Sequence, residues 1–83
     1  MIKLEIFCKD IIIESIEMDL CDYYDGDTYD NIVRSENIVA KGITSIKGTQ
    51  YNSKDKPYQI WVVYFDDKGN MTKDEVLLDE DYE

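Results

Sequence analysis

The chain has 83 residues, of which 43% are hydrophobic and 12% aromatic, and it carries a formal net charge of −10 at pH 7. That length suits one domain rather than two, and the apolar content exceeds that of a disordered chain, so residues 1–83 are expected to form a single compact domain. The acidic balance disfavours direct binding to nucleic acid or to an anionic membrane surface, and it favours a cationic protein partner.

The number of cysteines and the lengths of the apolar runs indicate the cellular compartment in which the protein works. Cys8 and Cys21 are the only cysteines, too few for a typical secreted disulfide scaffold. Glu5 and Lys9 interrupt the N-terminal stretch, so no apolar core of a signal peptide forms there. The longest apolar run, Ile60–Phe65, is far shorter than the roughly 20 residues of a membrane helix. We therefore expect a soluble, cytoplasmic protein with reduced thiols.

The first two predicted elements are strands. Residues Ile2–Cys8 alternate between apolar and mostly polar side chains, a period of two that predicts a half-buried strand. The apolar residues of Ile11–Leu20 would also line one face of a helix. The run of three isoleucines favours extended backbone, however, so we predict a second strand there.

The middle of the chain is less regular. Asp22–Thr28 is predicted to be a loop that turns at its glycine. Tyr29–Asn37 is predicted to be a short helix capped by the threonine that precedes it. Ile38–Tyr51 is predicted to be a strand that bends or bulges at one of its two glycines.

The last third contains the strongest pattern. After a polar loop over residues 52–57, Tyr58–Phe65 is apolar on both faces, which is typical of a central strand covered on both sides, or covered on one side and exposed for binding on the other. Asp66–Asn70 resembles a hairpin turn, and Met71–Leu78 is its partner strand. Asp79–Glu83 forms an acidic tail.

These elements define the predicted fold class. About five strands and at most one short helix indicate an α+β, β-rich domain with a small, mostly antiparallel sheet, and a partly open barrel is the alternative closure. The two-sided apolar strand is compatible with either a monomer or a homodimer.

Charge is distributed unevenly along the chain. Residues 1–30 contain nine acids and two lysines, residues 31–65 contain two acids and five bases, and residues 66–83 contain eight acids and two lysines. Two arrangements stay open. The basic middle could pair with the acidic ends across a sheet, or both acidic ends could lie on one side and form a continuous negative face.

The sequence lacks the residues that most catalytic mechanisms require. There is no histidine, so triads that depend on one are excluded. The four glycines are scattered and form no phosphate-binding loop. Paired carboxylates can perform acid–base catalysis, but so small a domain has little room for the concave site they need. We therefore predict that the protein is not an enzyme and has no cofactor.

Metal binding is also disfavoured. Cys8 and Cys21 lie thirteen residues apart without a CxxC motif, so we predict two small core residues rather than a zinc site. An EF-hand alignment on Gly26 places Cys21, Tyr23 and Ile32 where carboxylates are needed. We predict no metal site, although an irregular, weak divalent site in this segment stays open.

The segment Asp19–Asn31 contains five aspartates and three tyrosines. In an extended chain its carboxylates would stand roughly 7–10 Å apart, and with the glutamates of the preceding strand their spacing becomes comparable to that of nucleic-acid phosphates. Tyrosines add flat docking surfaces on which a partner's arginines can stack while they pair with carboxylates. The predicted partner-binding residues are Glu14, Glu17, Asp19, Asp22, Tyr23, Tyr24, Asp25, Asp27, Tyr29, Asp30, Asp79, Glu80 and Asp81.

We predict that the protein functions by occupying the cationic groove of a protein that handles nucleic acid. In size, acidity and absence of histidine the chain is similar in general character to phage-encoded inhibitors of bacterial defence, including anti-CRISPR and antirestriction proteins that mimic DNA. That resemblance implies an inhibitor that binds a nucleic-acid-binding enzyme, such as a nuclease, in place of DNA or RNA. The alternative is an immunity-type or adaptor protein that binds a cationic toxin or a regulatory partner through an acidic and aromatic surface.

Overall fold

The computed structural model describes residues 1–82; the last residue of the predicted tail, Glu83, lies outside them. Five strands and three short helices make up this part of the chain. In order they are β1 (Ile2–Cys8), β2 (Ile11–Met18), α1 (Leu20–Asp25), α2 (Thr28–Ile32), α3 (Ser35–Lys41), β3 (Ser45–Tyr51), β4 (Pro57–Phe65) and β5 (Met71–Asp79).

The strands form one sheet in the order β2-β1-β3-β4-β5, and each neighbouring pair is antiparallel. The predicted α+β, β-rich class with a five-stranded antiparallel sheet is confirmed. The barrel alternative is wrong, because β2 and β5 are separate edges and the sheet does not close. No helix within residues 1–82 combines the length and the apolar character needed to cross a membrane.

The core lies between one face of the sheet and the helices. The alternation seen in the sequence of β1 places every second side chain on this face, and those side chains are completely buried. Fully burying such an aliphatic side chain stabilises the fold by about 1.5–3 kcal/mol. The buried core cluster consists of Ile2, Leu4, Ile6, Ile32, Ile38, Ile43, Ile46 and Val63.

The helices differ most from the sequence prediction. The predicted loop over Asp22–Thr28 is wrong, because α1 and the start of α2 occupy most of it. The predicted helix over Tyr29–Asn37 is divided between α2 and α3, so there are three helices rather than at most one. Each has five to seven residues, too short to be stable alone, and each therefore depends on packing against the sheet.

The predicted strand over Ile38–Tyr51 is wrong in its first part. Helix α3 continues to Lys41 and ends at Gly42, whose φ of 67° lies in the left-handed region. The N–H of Ile43 donates to the carbonyl of Ile38 at 3.0 Å, which satisfies a carbonyl of the last helical turn. Strand β3 begins only at Ser45.

A glycine at the centre of the sheet provides space for the single tryptophan. Gly48 of β3 pairs with Trp61 of β4, and a Cβ atom at position 48 would overlap the indole ring. The indole also makes an edge-to-face contact with Tyr29 of α2, with ring centroids 5.8 Å apart. The absence of a side chain at Gly48 therefore leaves room for the ring against which α2 packs.

Both edge strands are irregular. In β2 the register shifts opposite Ile6 and Phe7, so that Ile13 forms a bulge with no paired residue in β1. In β5 the register shifts twice, so that Thr72 and Leu77 are additional. Such bulges interrupt the row of backbone groups that an edge strand offers to another chain.

Candidate partner-binding surface

The sheet topology brings the two acidic segments to the same end of the molecule. Ile2 pairs with Met18 on one side and with Gln50 on the other. Gln50 pairs with Gln59, which pairs with Asp79. Helix α1 follows the end of β2 and the acidic tail follows the end of β5, so both leave the sheet from this row of paired residues.

Side-chain hydrogen bonds along this row connect the two segments. Gln50 is 3% exposed, and its Nε2 donates to the hydroxyl of Tyr24 in α1 at 3.2 Å. The neighbouring Gln59 donates from its Nε2 to Oδ1 of Asp79 at 3.3 Å. Two adjacent glutamines therefore hold one residue from each acidic segment.

Three tyrosines meet at the same end. Tyr58 is buried, and its ring lies 5.1 Å from that of Tyr82 in an edge-to-face contact. Burial raises the pKa of Tyr58, and the neighbouring Tyr24 and Tyr82 raise it further. Tyr24 and Tyr82 remain 67% and 56% exposed, so each presents a ring at the surface above the buried tyrosine.

We call this surface the acidic end. Its carboxylates are all exposed, and each of the two acidic segments contributes one exposed tyrosine, Tyr24 or Tyr82. An open cavity of about 490 Å³ beside α1 is lined partly by Met18, Asp22 and Asp25. The acidic end comprises Glu17, Asp19, Asp22, Asp25, Asp79, Glu80 and Asp81.

Ion pairs leave the acidic end unneutralised. Among residues 1–82 the ion pairs join Arg34 to Glu36, Lys41 to Glu14 and Lys73 to Glu75, and none involves a carboxylate of the acidic end. Lysines 54 and 56 lie in the β3–β4 loop at this end of the sheet, but neither forms an ion pair with these seven acids. The structure contains parts of both charge arrangements that the sequence left open. The two acidic segments end at one end of the sheet, whereas Lys41 is paired with Glu14 and Lys47 lies opposite Glu5.

Glu14 is not part of this surface. It pairs with Ile6 in the sheet, toward the opposite end from Met18, and its Oε1 lies 3.5 Å from Nζ of Lys41. Its charge is therefore already balanced by α3.

Tyr23 and Tyr29 contribute to packing more than to the surface. Both are half-buried against the core, and Tyr23 contacts Tyr24 and Tyr29 edge to face, at 5.2 and 5.5 Å between ring centroids. Burial, with smaller contributions from Tyr29, Tyr24 and Asp30, raises the pKa of Tyr23 to about 12. Of the three predicted docking tyrosines, only Tyr24 is well exposed.

Asp27 and Asp30 lie at the start of α2, between the acidic end and the centre of the sheet. Asp27 is the residue before the helix and Asp30 is in its first turn, where negative charge complements the helix dipole. Both side chains are exposed. They extend the negative surface away from the row of paired glutamines.

Four residues of this surface, Gln50, Gln59, Tyr58 and Tyr82, are absent from the predicted partner-binding set. The two glutamines have no local signal, because their hydrogen-bond partners lie 26 and 20 residues away in the chain. Tyr58 was assigned only to the apolar strand. Tyr82 stands among the acids of the tail, where an aromatic residue is itself a signal of a contact.

The cysteines and the acids show no metal site. Within residues 1–82 no group of three or more histidine, cysteine, aspartate or glutamate side chains is placed to hold an ion. Cys8 is half-buried, but Cys21 is exposed on α1, so the prediction that Cys21 is a core residue is wrong. Cys21 lies in α1, a helix in which no residue is buried.

The surface thus combines seven exposed carboxylates with two exposed tyrosines on a hydrogen-bonded base. It offers acceptors for cationic groups, and it has no histidine to transfer protons near neutral pH. Comparisons with protein-family models, with curated proteins and with solved structures find no match for this chain.

Proposed function

We propose that the protein is a non-enzymatic inhibitor that inserts its acidic end into the phosphate-binding cleft of a cationic, nucleic-acid-binding protein such as a nuclease. The observation that supports this proposal is that two sequence-distant acidic segments meet at one end of the sheet, and that no ion pair within residues 1–82 neutralises their carboxylates there. Accumulating seven carboxylates there costs stability through mutual repulsion, and a cationic partner would remove that cost.

The chemistry of the surface suits arginine and lysine. A guanidinium can pair with a carboxylate through two parallel hydrogen bonds and can stack on a tyrosine ring. Tyr24 and Tyr82 are rigid, exposed rings within the carboxylate field, and such rings provide contact area at low entropic cost. A cleft that binds phosphates presents the same cationic groups to this surface.

A second candidate function is that of an immunity-type or adaptor protein with a single cognate partner. The exposure of Tyr24 and Tyr82 favours it, because tyrosines are frequent hot spots of protein interfaces. The two functions differ in their link to nucleic acid. An inhibitor that mimics DNA or RNA competes with it, whereas an immunity protein does not.

The test is affinity capture from a bacterial lysate with and without duplex DNA as competitor. We expect to capture a nucleic-acid-binding protein that duplex DNA displaces. Its binding to this chain should weaken steeply as the salt concentration rises. Capture of a small toxin that DNA does not displace would support the immunity function instead.

A pair of double variants tests whether the acidic end makes the contact. Asp22→Lys with Glu80→Lys reverses one acid from each acidic segment at the acidic end. Asp10→Lys with Glu14→Lys makes the same change in net charge toward the opposite end of the sheet, in and beside the β1–β2 turn. We expect the first pair to weaken binding by about 2 kcal/mol or more, roughly 30-fold, and the second to have a much smaller effect. Equal effects would show that net charge, and not this surface, determines binding.

A further inference from the structure

Strand β5 is not covered by the helices. Met71, Asp74 and Val76 pair with Phe65, Val63 and Trp61 of β4. Those β4 residues pack in or against the core, so all six side chains lie on the helix-bearing face of the sheet. Yet Met71 is 62% and Val76 is 68% exposed. The helical layer therefore ends before it reaches the edge of the sheet.

A groove runs between the helical layer and this edge. Tyr29 and Val33 form its helical wall, and Phe65 and Met71 form its sheet side. Farther along β5, Trp61 and Val76 partly line a second cavity of about 150 Å³. A cavity of about 280 Å³ opens at one end, lined mainly by Tyr29, Val33, Phe65 and Met71. We call this the β5 groove.

Negative charge borders the β5 groove. Asp30 follows Tyr29 and raises that tyrosine's pKa, after the larger effect of burial, which places its charge close to the helical wall. Asp74 lies between Met71 and Val76 in β5 and is exposed. Two nearby cations have partners elsewhere. Arg34 lies 4.0 Å from Glu36, and Lys73 is paired with Glu75 and lies over the ring of Tyr64.

The form of the edge favours a helix as the occupant. An added strand needs an uninterrupted row of backbone groups, and β5 has bulges at Thr72 and Leu77 that interrupt this row. The groove lies on the face of the sheet, beside the existing helices, where a further helix would continue the same layer. A second copy of this chain is disfavoured because each copy has a net charge of −10.

We propose that the β5 groove binds an amphipathic helix of the partner, with an apolar side chain in the cavity beside Tyr29 and basic side chains next to Asp30 and Asp74. The positive charge of that helix rests on the proposed function, in which the partner is cationic. The acidic end and the β5 groove then form two parts of one interface, one electrostatic and one apolar.

A synthetic peptide tests the groove directly. The probe is an 18-residue peptide of leucine and lysine whose leucines follow a helical spacing, and the control is a peptide of the same composition with its leucines scattered around the helix. Trp61 is the only tryptophan in the chain, so its fluorescence reports on the sheet beside the groove. We expect saturable one-to-one binding of the amphipathic peptide, and affinity weaker by about tenfold for the scattered peptide.

A variant separates groove binding from simple charge attraction. Met71→Glu with Val76→Glu replaces two apolar side chains of β5 with negative charges, and Ile11→Glu with Ile12→Glu makes the matched change on the opposite edge strand. If the helix uses the apolar groove, the first pair weakens peptide binding by about tenfold despite its added charge, and the second pair leaves it unchanged or slightly tighter. Thermal unfolding of each variant verifies that it is folded.

Three results would overturn the inference. The first is that the Met71 and Val76 variant binds the peptide unchanged or more tightly. The second is that the amide NMR signals that shift on peptide binding belong to β2 instead of β5. The third is that the free protein is a dimer, which the same variant dissociates. The lysate experiment is independent of these. Loss of DNA-displaceable capture in the Asp22 and Glu80 variant, with no peptide binding in the groove, would retain the proposed function and reject the groove. Peptide binding in the groove without DNA-displaceable capture would retain the groove and reject the proposed function.

Discussion

Acidic residues at the two ends of the sheet have different surroundings. In the β4–β5 turn, Oδ1 of Asp66 accepts the backbone N–H groups of Lys68 and Asn70, each at 2.9 Å. These bonds, the one from Asn70 first, lower the pKa of Asp66. At the acidic end, the carboxylates of Asp22 and Asp25 have neither a hydrogen bond nor an ion pair with any residue in the described range.

The comparison separates two uses of the same residue type. Asp66 shapes the chain, because its carboxylate satisfies backbone donors that the turn would otherwise leave to solvent. Asp22 and Asp25 contribute charge, and their carboxylates have no partner among the residues that the structure describes. Composition alone cannot make this distinction, since it depends on which backbone groups surround each carboxylate.

The largest expected effect concerns the tyrosine cluster beneath the acidic end. Tyr58→Ala removes a buried ring that contacts Tyr82, and we expect it to lower the free energy of unfolding by about 3 kcal/mol. Tyr82→Ala removes an exposed ring and should cost less than about 1 kcal/mol. Urea unfolding of both variants measures the difference. Equal costs would show that the acidic end does not depend on a buried base.

The centre of the sheet, between the two ends, is the next most sensitive. Gly48→Ala places a methyl group where the indole of Trp61 lies, and such overpacking costs about 1–3 kcal/mol. The same substitution in a Trp61→Phe background should cost less, because the smaller ring leaves room. Thermal unfolding of the four proteins of this cycle gives the coupling energy, and a coupling of zero would contradict the described contact.

A pair of alanine variants compares the two ends directly. Asp66→Ala should lower the melting temperature, because the N–H groups of Lys68 and Asn70 lose their acceptor. Asp22→Ala should leave it unchanged or raise it, because it relieves repulsion among neighbouring acids. Since its pKa is lowered on folding, Asp66 stabilises the protein above the ordinary value of 3.8 and loses that effect as the pH falls below it. A larger decrease in melting temperature for Asp22→Ala than for Asp66→Ala would contradict this assignment of roles to the two aspartates.

The smallest expected effect appears at alkaline pH. Folding raises the pKa of Tyr23 from 10.0 to about 12, so the folded state holds the phenol proton more tightly than the unfolded state does. The resulting stabilisation is fully present below pH 10 and is lost as the pH rises toward 12. Tyr23→Phe removes this ionisation, and its melting temperature should fall less steeply above pH 10 than that of the wild type.

The strands were predictable because their signals are local. The alternation in Ile2–Cys8 and the apolar run before the turn at Asp66 each specify a strand within a few residues. The helices were not, because they are short and acidic and gain stability from packing. Two local signals do exist for them: the spacing of Tyr29, Ile32 and Val33 along one helical face, and a glycine directly after Lys41.

The candidate site was predictable only in part. The exposure of the aspartates and of Tyr24 agrees with the sequence interpretation, whereas Tyr23 and Tyr29 pack inward and Glu14 is paired. The joining of the two acidic segments depends on Gln50 and Gln59, which become neighbours only through the order of strands in the sheet. No pattern within a short stretch of sequence reports that order.

The strand order also has a consequence for behaviour at high concentration. The exposed run Ile11–Ile13 on the edge strand β2 would ordinarily invite stacking of molecules into extended sheets. The bulge at Ile13 and the negative charge of Glu17 along the same strand oppose that stacking, and β5 at the other border is acidic as well. The fold thus places its basic strand, β3, inside and its mutually repelling strands outside, a layout that protects the chain against aggregation in dilute salt.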